Sequence, residues 1–243
     1  MGLDRNLEGR SIVINGRTAD ADTTVVIAPA ALGTKPADDY VASVASTDNT
    51  NDKAAGTGGL TAIVRGIAKT TFLEVEELIT LNGTTAVLTT AEFIRINEII
   101  LATVGTNGSN TGTITATLNS QTQATMPIGY SRSNGLFYTV PAGQFLAIDR
   151  INLTGGELAT GNVVRWQLQA RYLGASIAAP DPWYVLDKAD MWSPSSVEYG
   201  HELIIPQKSE LRVVAVTAVN NAVISGSIVA TLGQGNTPTN FIR

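Results

Sequence analysis

The sequence predicts an all-β protein, an antiparallel β-sandwich of jelly-roll type with an extended N-terminal arm. Short runs rich in β-branched and aromatic residues recur from Leu60 onward, with turn signals between them at intervals of about eight to twelve residues. Several runs alternate apolar and polar residues, as half-buried strands do. Charged residues make up only 15% of the chain, while Thr, Ser, Asn and Gly are plentiful. This composition predicts a neutral, polar surface.

Residues 1–56 differ in composition from the rest. They contain one short apolar run after the first strand-like segment, then two prolines, and they end within the polar stretch "STDNTNDKAAGTGG", residues 46–59. Such a segment buries little by itself, so we expect an arm or linker that becomes ordered against a neighbour; a plain disordered tail is the alternative. The candidate arm contacts are the β-prone residues Ile12, Val13, Ile14, Val25, Val26 and Ile27.

The sandwich domain is predicted at 57–232, with a C-terminal tail at 233–243. Its first strands are "LTAIVRGI" and "FLEVEELITL". The next run, residues 85–104, is ambiguous because Thr89 and Glu92 match a helix capping box, but the isoleucine-rich sequence that follows favours a strand. The later strand-like runs are "GLFYTV", "QFLAIDRINL", "VVRWQLQARYL", "WYVLD", "HELIIP", "ELRVVAVTA" and "AVISGSIVATL".

The glycine-rich stretch "TVGTNGSNTGTITATL", residues 103–118, superficially resembles a phosphate-binding loop. It lacks the fixed glycine spacing, the Lys-Ser or Lys-Thr pair and the following helix that such a loop requires. Asn107 and Gly108 tolerate positive φ, and strand-like residues lie on both sides. We therefore predict a hairpin loop here.

The run at 163–173 gives the clearest strand signal, because Val164, Trp166 and Leu168 alternate with Arg165, Gln167 and Gln169. A second regularity relates two segments 65 residues apart. Val140-Pro141 and Ile205-Pro206 each end an apolar run, and an alternating run resumes after a short polar turn. Proline suits a strand end because it fixes φ and lacks a donor. This predicts two equivalent corners of one sandwich.

Candidate catalytic and metal-binding residues are few. The chain has no cysteine and a single histidine, His201, whose neighbour Glu202 would point to the opposite face of a strand. The oxygen ligands Asp48, Asn49, Asn51 and Asp52 lack the downstream glutamate of a calcium loop. The sequence therefore predicts no catalytic residue, no metal site and no cofactor.

The segment "PDPWYVLDKADMWSP", residues 180–194, combines aromatic residues with acids. Flat apolar faces beside carboxylates suit a sugar-binding platform or a protein interface, and a tryptophan also suits the end of a sandwich as a core plug. All three interpretations remain open at this stage. The candidate interface or glycan contacts are Trp183, Tyr184, Asp187 and Trp192. A weaker hypothesis makes Asp187 and Asp190 the acids of a polysaccharide-degrading enzyme.

The charge and hydropathy of the chain limit the kinds of partner that it can have. The net charge is −5, and no run of Lys and Arg with interleaved aromatics occurs, so we expect no direct contact with nucleic acid. No apolar run is long enough for a signal peptide or a membrane-spanning helix, so we expect a protein that is soluble until it assembles and has no membrane partner.

Six segments together resemble a family of virion structural proteins of tailed bacteriophages. They occur in the family's order and cover about residues 46–232: "DNTNDKAAGTGGLTAIVRGI", "EELITLNGTTAV", "FIRINEI", "GTNGSNTGTITA", "LFYTVPAGQFLAI" and "ELIIPQKSELRVVAVTA". The resemblance implies an antiparallel β-rich particle component without enzymatic activity, located in the virion.

The resulting expectation is a capsid-surface decoration, cement or fibre-base protein. It would form a homo-oligomer, with a trimer favoured, and would contact other virion proteins such as the major capsid protein. The alternative is a tail-fibre or receptor-binding module that contacts host glycan.

Overall fold

A computed structural model describes residues 9–18, 25–28, 40–156, 164–173, 182–191, 195–217 and 223–234, and all regular elements in these ranges are β-strands. The strands are β1 (Gly9–Thr18), β2 (Val25–Val26), β3 (Val41–Ser46), β4 (Gly59–Ala68), β5 (Glu74–Thr80), β6 (Val87–Val104), β7 (Ile114–Leu118), β8 (Gln121–Met126), β9 (Phe137–Thr139), β10 (Gln144–Gly156), β11 (Val164–Tyr172), β12 (Tyr184–Met191), β13 (Ser195–Ile205), β14 (Ser209–Thr217) and β15 (Val223–Gln234).

Two sheets, of four and five strands, form a jelly roll, and eight of these strands follow its order. The first sheet has the order β1-β15-β10-β13, and the second sheet has the order β12-β11-β14-β2, with β9 also pairing with β14. We number these eight strands one to eight along the chain. The two strands at each end of each order then have numbers that sum to nine, and these pairs are β1–β15, β10–β13, β11–β12 and β2–β14. All four pairs are antiparallel. This is the double-sheet arrangement of a jelly roll, and the predicted all-β sandwich is confirmed.

The jelly-roll core follows from the alternation within its strands. In β11, Val164, Trp166 and Leu168 are buried in the core between the two sheets. The intervening residues Arg165 and Gln167 are on the opposite face, where Arg165 is exposed. The strand that was clearest in the sequence therefore has the predicted orientation.

A third sheet is inserted between the second and third strands of the jelly roll. Its order is β5-β4-β6-β3-β7-β8, and it has a hydrophobic core of its own. Its central strand is β6, so the strand interpretation of residues 87–104 is confirmed and the helical one is wrong. Phe93, Ile96 and Ile99 of β6 are buried, and Thr89 accepts a hydrogen bond from the Ala42 amide of β3 instead of capping a helix.

The sequence predicted an arm or linker over residues 1–56, outside the sandwich domain. The described parts of residues 1–56 are paired within the chain's own sheets: β1 with β15, β2 with β14, and β3 with β6 and β7. Ile14 and Ile27 are buried in the jelly-roll core. Ile12 is partly buried against that core, while Val13 is 44% exposed. Local composition missed this because the partners of these short runs lie some 200 residues later in the chain.

The predicted hairpin at residues 105–113 is wrong, because β6 and β7 are not neighbours. They lie on opposite sides of β3, so the glycine-rich loop crosses from one side of that strand to the other. Gly108 has φ +73° at the turn. Gly105 and Gly112 allow the backbone of this loop to approach its neighbours closely. A Cβ at Gly105 would lie 2.6 Å from the Thr57 Cα, and a Cβ at Gly112 would clash with the Asp48 amide nitrogen.

The two predicted corners are present and adjacent. The turn from β9 to β10 and the turn from β13 to β14 exchange backbone hydrogen bonds, because Lys208 donates to the Val140 carbonyl and Val140 donates to the Ser209 carbonyl. Gly143 and Lys208, which are 65 residues apart, both have positive φ, +75° and +55°. The sequence regularity therefore marks two corners with the same backbone turn.

Candidate functional site

The outer face of the second sheet carries a concentration of polar side chains. The core-facing residues of β11 and β14 include Leu168 and Leu211, so Gln167, Gln169, Arg171 and Arg212 lie on the opposite face. Arg212 Nε donates to Gln169 Oε1 at 2.9 Å, and Gln169 Nε2 donates to Gln167 Oε1 at 2.7 Å. A hydrogen-bonded line of side chains thus runs from β14 to β11 and continues along β11.

Trp183 lies over this face next to the start of β12. Its ring centroid is 3.9 Å from the Arg212 guanidinium carbon and 4.4 Å from that of Arg171. These are cation–π distances. Tyr184 and Val185, the next residues, are each 48% exposed. The tryptophan buried in the core is Trp166, so Trp183 is a half-buried part of the outer face rather than a core plug.

Glu210 holds two guanidinium groups from different parts of the molecule. Its Oε1 accepts from Arg95 Nε at 2.6 Å, and its Oε2 accepts from Arg171 Nε at 2.6 Å. The Arg95 and Glu210 side chains are 2% and 0% exposed. Arg95 belongs to β6 of the inserted sheet and also donates to Gln123 of β8. This buried ion pair therefore joins the inserted sheet to the jelly roll.

The predicted contact Asp187 is not on the same face as Trp183, whereas Asp190 is. Asp187 is opposite the core-facing Leu168 and accepts a hydrogen bond of 2.6 Å from the Tyr199 hydroxyl of β13, so it links the two sheets at one edge. Asp190 is on the outer face and pairs with Arg165 at 2.7 Å. The hydrogen bond from Arg165 lowers the pKa of Asp190. The two acids therefore do not form the opposed pair of a glycosidase.

The structure does not describe the side chains of two residues that the sequence analysis considered. Trp192 is outside the described residues, and His201 is in β13 but its side chain is not described. Among the described residues, no group of three His, Cys, Asp or Glu side chains is arranged to hold a metal ion. The described residues also include no helix that would span a membrane.

A cavity of about 270 Å³ lies between β1 and the inserted sheet. Each charged side chain that lines it has a partner: Arg65 and Arg132 pair with Glu98 of the same lining at 3.1 and 2.9 Å, and Arg10 pairs with Glu74, which is outside the lining, at 2.7 Å. Burial raises the pKa of Glu98, although Arg132 and Arg65 act in the opposite direction. Because its charges are compensated, this cavity is a polar seam between the two units.

The candidate calcium ligands serve a different purpose. Asp52 is buried and accepts hydrogen bonds from the Ser46 hydroxyl, the amides of Gly59 and Gly112, and both the amide and the hydroxyl of Thr111. Asp48 accepts from the amides of Thr50 and Asn51. Asp52 therefore holds the glycine-rich loop against the loop that follows β3, and Asp48 stabilises the turn within that second loop.

Replacing Asp52 by asparagine is expected to lower the free energy of unfolding by about 2–4 kcal/mol, because an amide NH2 group would face backbone or hydroxyl donors. Burial alone raises the pKa of Asp52, but the hydrogen bonds from Ser46, Thr111, Gly59 and Gly112 lower it overall. A lowered folded-state pKa stabilises the protein above the unfolded value of about 3.9. That contribution is lost as the pH falls through the folded-state pKa.

Urea denaturation of wild type and Asp52→Asn at several pH values measures both effects. The variant should lose the acid-dependent part of the stability curve that Asp52 contributes. Thr50→Ala, which keeps the amide that Asp48 accepts from, is the matched control and should unfold at nearly the wild-type midpoint. Equal midpoints for wild type and Asp52→Asn at neutral pH would contradict this prediction.

No family model matches the chain, and no curated protein matches it. Two solved structures that align with it are of viral particles. The structure of infectious bursal virus-derived T=1 particles aligns at 13% identity over 97% of this chain and 72% of that chain, with a TM-score of 0.23. The VP2 subviral particle of infectious bursal disease virus aligns at 12% identity over 97% and 75%, with a TM-score of 0.17. Scores this low establish no shared fold, so the jelly-roll assignment rests on strand order.

Sequence reasoning found Trp183 and Tyr184 but missed the arginines beneath them. Arg171, Arg212 and Glu210 are in runs that were identified as strands, and strand alternation places all three on the non-core face. This alternation is the feature of the sequence from which these three residues could have been predicted to share a face. Arg95 gave no such signal, because it is separated from Glu210 by 115 positions.

Proposed function

We propose that the protein is a non-enzymatic structural component of a bacteriophage virion, on the capsid surface as a decoration, cement or fibre-base protein. The observation that carries the proposal is the eight-stranded jelly roll with a separate six-stranded sheet inserted between its second and third strands. Jelly rolls occur in viral capsid and lectin domains, so the fold alone does not choose between them. The resemblance of six segments to phage virion proteins favours the particle role.

Self-association is part of this proposal, with a homotrimer favoured and the major capsid protein as a further partner. The edge strand β5 exposes Leu78 at 64%, and Leu78 is opposite Ile63, which is opposite Ile100. This apolar row lies beside the row Glu76, Arg65 and Glu98, whose side chains form ion pairs. An apolar row bordered by charges of both signs suits contact between identical copies.

The test is to locate the protein on intact phage particles with a labelled antibody. We expect label over the whole shell, in many copies, and light scattering of the purified chain should give a multiple of the 25.5 kDa protomer mass. Antibody against the major capsid protein is the positive control for access to the shell. Label confined to the tail tip would overturn the capsid proposal and favour the receptor-binding alternative.

The receptor-binding alternative is favoured by one observation, the aromatic ring of Trp183 over the outer face of the second sheet, next to the exposed Tyr184. In this alternative the protein is a tail-fibre module, and the same face contacts host glycan. Adsorption of phage to host cells that lack surface polysaccharide distinguishes the two functions, because only the alternative requires the glycan.

A further inference from the structure

The guanidinium of Arg212 lacks a carboxylate partner among the residues that the structure describes. Both oxygens of Glu210 are taken by Arg95 and Arg171. Within the described part of the chain, Arg212 contacts the Gln169 amide oxygen and the ring of Trp183. Arginine presents its donors in a planar fork that matches a carboxylate, and among the described residues only Nε of this fork has an acceptor, Gln169 Oε1. Arg212 therefore holds a positive charge with unused donors.

The electrostatic surroundings also favour an anion at this position. Burial lowers the pKa of Arg212 to about 10, and the neighbouring charge of Arg171 acts in the same direction. Glu210 opposes this shift without cancelling it. A bound anion would offset the cost of holding two guanidiniums side by side under one indole ring.

The hydrogen-bond line fixes which groups remain available. Because Gln169 Oε1 accepts from Arg212, its Nε2 is the atom that donates to Gln167 Oε1. The Gln167 amide oxygen is thereby satisfied, and its NH2 group is left as a donor on the same face. An amide donor beside a guanidinium suits a ligand that has hydroxyl groups as well as a negative charge.

Apolar surface completes the patch. Val185 is opposite Gln169, which is opposite Arg212, so the three lie in one row across the sheet. Val185 is 48% exposed, and Trp183 lies over Arg212 at 3.9 Å. The C–H face of a sugar ring packs against such aromatic and aliphatic surface, whereas an inorganic anion makes no use of it.

We propose that Arg212, Gln167, Trp183 and Val185 form a binding site for the carboxylate of an acidic saccharide. The guanidinium holds the carboxylate, the Gln167 amide donates to a ring hydroxyl, and Trp183 and Val185 pack against the ring. The site does not depend on where the protein is located on the virion, so its failure would leave the proposed virion role untouched.

The test is titration of the full-length protein with glucuronate, followed by tryptophan fluorescence and saturation-transfer NMR. We expect saturable binding of glucuronate and none of glucose, which lacks the carboxylate. Arg212→Gln should weaken glucuronate binding by about tenfold or more, since a charge-assisted contact is lost. Arg165→Gln is the matched control, because Arg165 is on the same strand face but is already paired with Asp190; it should bind like wild type.

Several outcomes would overturn the site. If glucose binds as tightly as glucuronate, the site does not recognise the carboxylate. If acetate binds as tightly as glucuronate, the site does not recognise the sugar ring. Unchanged affinity in Arg212→Gln, or no saturable binding by wild type, would eliminate the site itself. If Arg212→Gln proves unstable by circular dichroism, Gln167→Leu replaces it, and wild-type affinity in that folded variant would equally overturn the assignment.

Discussion

Replacing Glu210 by glutamine is expected to lower the free energy of unfolding by about 3–5 kcal/mol, because removal of one partner leaves buried charge uncompensated. Glu210 is fully buried and is shared by Arg95 and Arg171. With glutamine, one of these arginines would face an NH2 group in place of an oxygen. The Arg95 guanidinium is 5.2 Å from the Phe137 ring, which partly screens it but does not neutralise it.

Urea denaturation of the purified chain measures this loss. Glu76→Gln is the control, because Glu76 pairs with Arg65 at 2.6 Å but its side chain is 43% exposed. An exposed ion pair is worth about 0–1 kcal/mol, so the control should unfold near the wild-type midpoint. A second variant, Arg95→Met with Glu210→Gln, should recover part of the loss because it removes a buried charge together with its partner. If Glu210→Gln unfolds at the same midpoint as Glu76→Gln, the buried bridge does not stabilise the junction.

The fold class was predictable because it depends on local periodicity. The alternation of Trp166 and Leu168 with Gln167 and Gln169 already places a core on one side of β11 and a polar face on the other. The equivalent corners were also predictable, because a proline and a turn residue at fixed spacing determine backbone geometry locally. These signals do not depend on which strands meet.

The pairing of strands distant in sequence was not predictable in this way. Nothing near Ile14 indicates that its partner in the first sheet is Ile228, or that Ile27 enters the same core. The crossing of the 105–113 loop over β3 depends on the same kind of information, since a hairpin and a crossover have similar turn residues. The sequence therefore defined the strands but not the insertion of one sheet within the other fold.

The candidate site was predictable in part for a related reason. Trp183 and Tyr184 stand out by composition; Trp183 lies over the outer face, while Tyr184 is opposite the core-facing Ala170. Asp187 was grouped with them because it is close in sequence. A β-bulge between Leu168 and Gln169, where β12 shifts its register, places Asp187 toward Tyr199 instead. A one-residue shift in a strand is enough to move a side chain to the other face.

Deleting residues 1–28 is expected to abolish cooperative folding of the jelly roll. β1 pairs with β15 along ten consecutive residues, from Gly9–Gly233 to Thr18–Ile224. The deletion also removes Ile14 and Ile27, which are 8% and 0% exposed. Loss of a buried isoleucine side chain lowers the free energy of unfolding by about 2–5 kcal/mol. Two such losses are comparable to a typical free energy of unfolding of about 5–15 kcal/mol, and the loss of strand pairing adds to them.

Near-UV circular dichroism and urea denaturation of the truncated chain test this expectation, with a chain lacking only residues 1–8 as the control. The control should unfold cooperatively at nearly the wild-type midpoint, because β1 begins at Gly9. A synthetic peptide of residues 9–28 added to the truncated chain should restore the near-UV signal, since an extended segment can complete a sheet edge in trans. If the chain lacking residues 1–28 instead folds as the full chain does but no longer assembles, the segment acts on a neighbouring subunit, and its pairing with β15 and β14 is an exchange between copies.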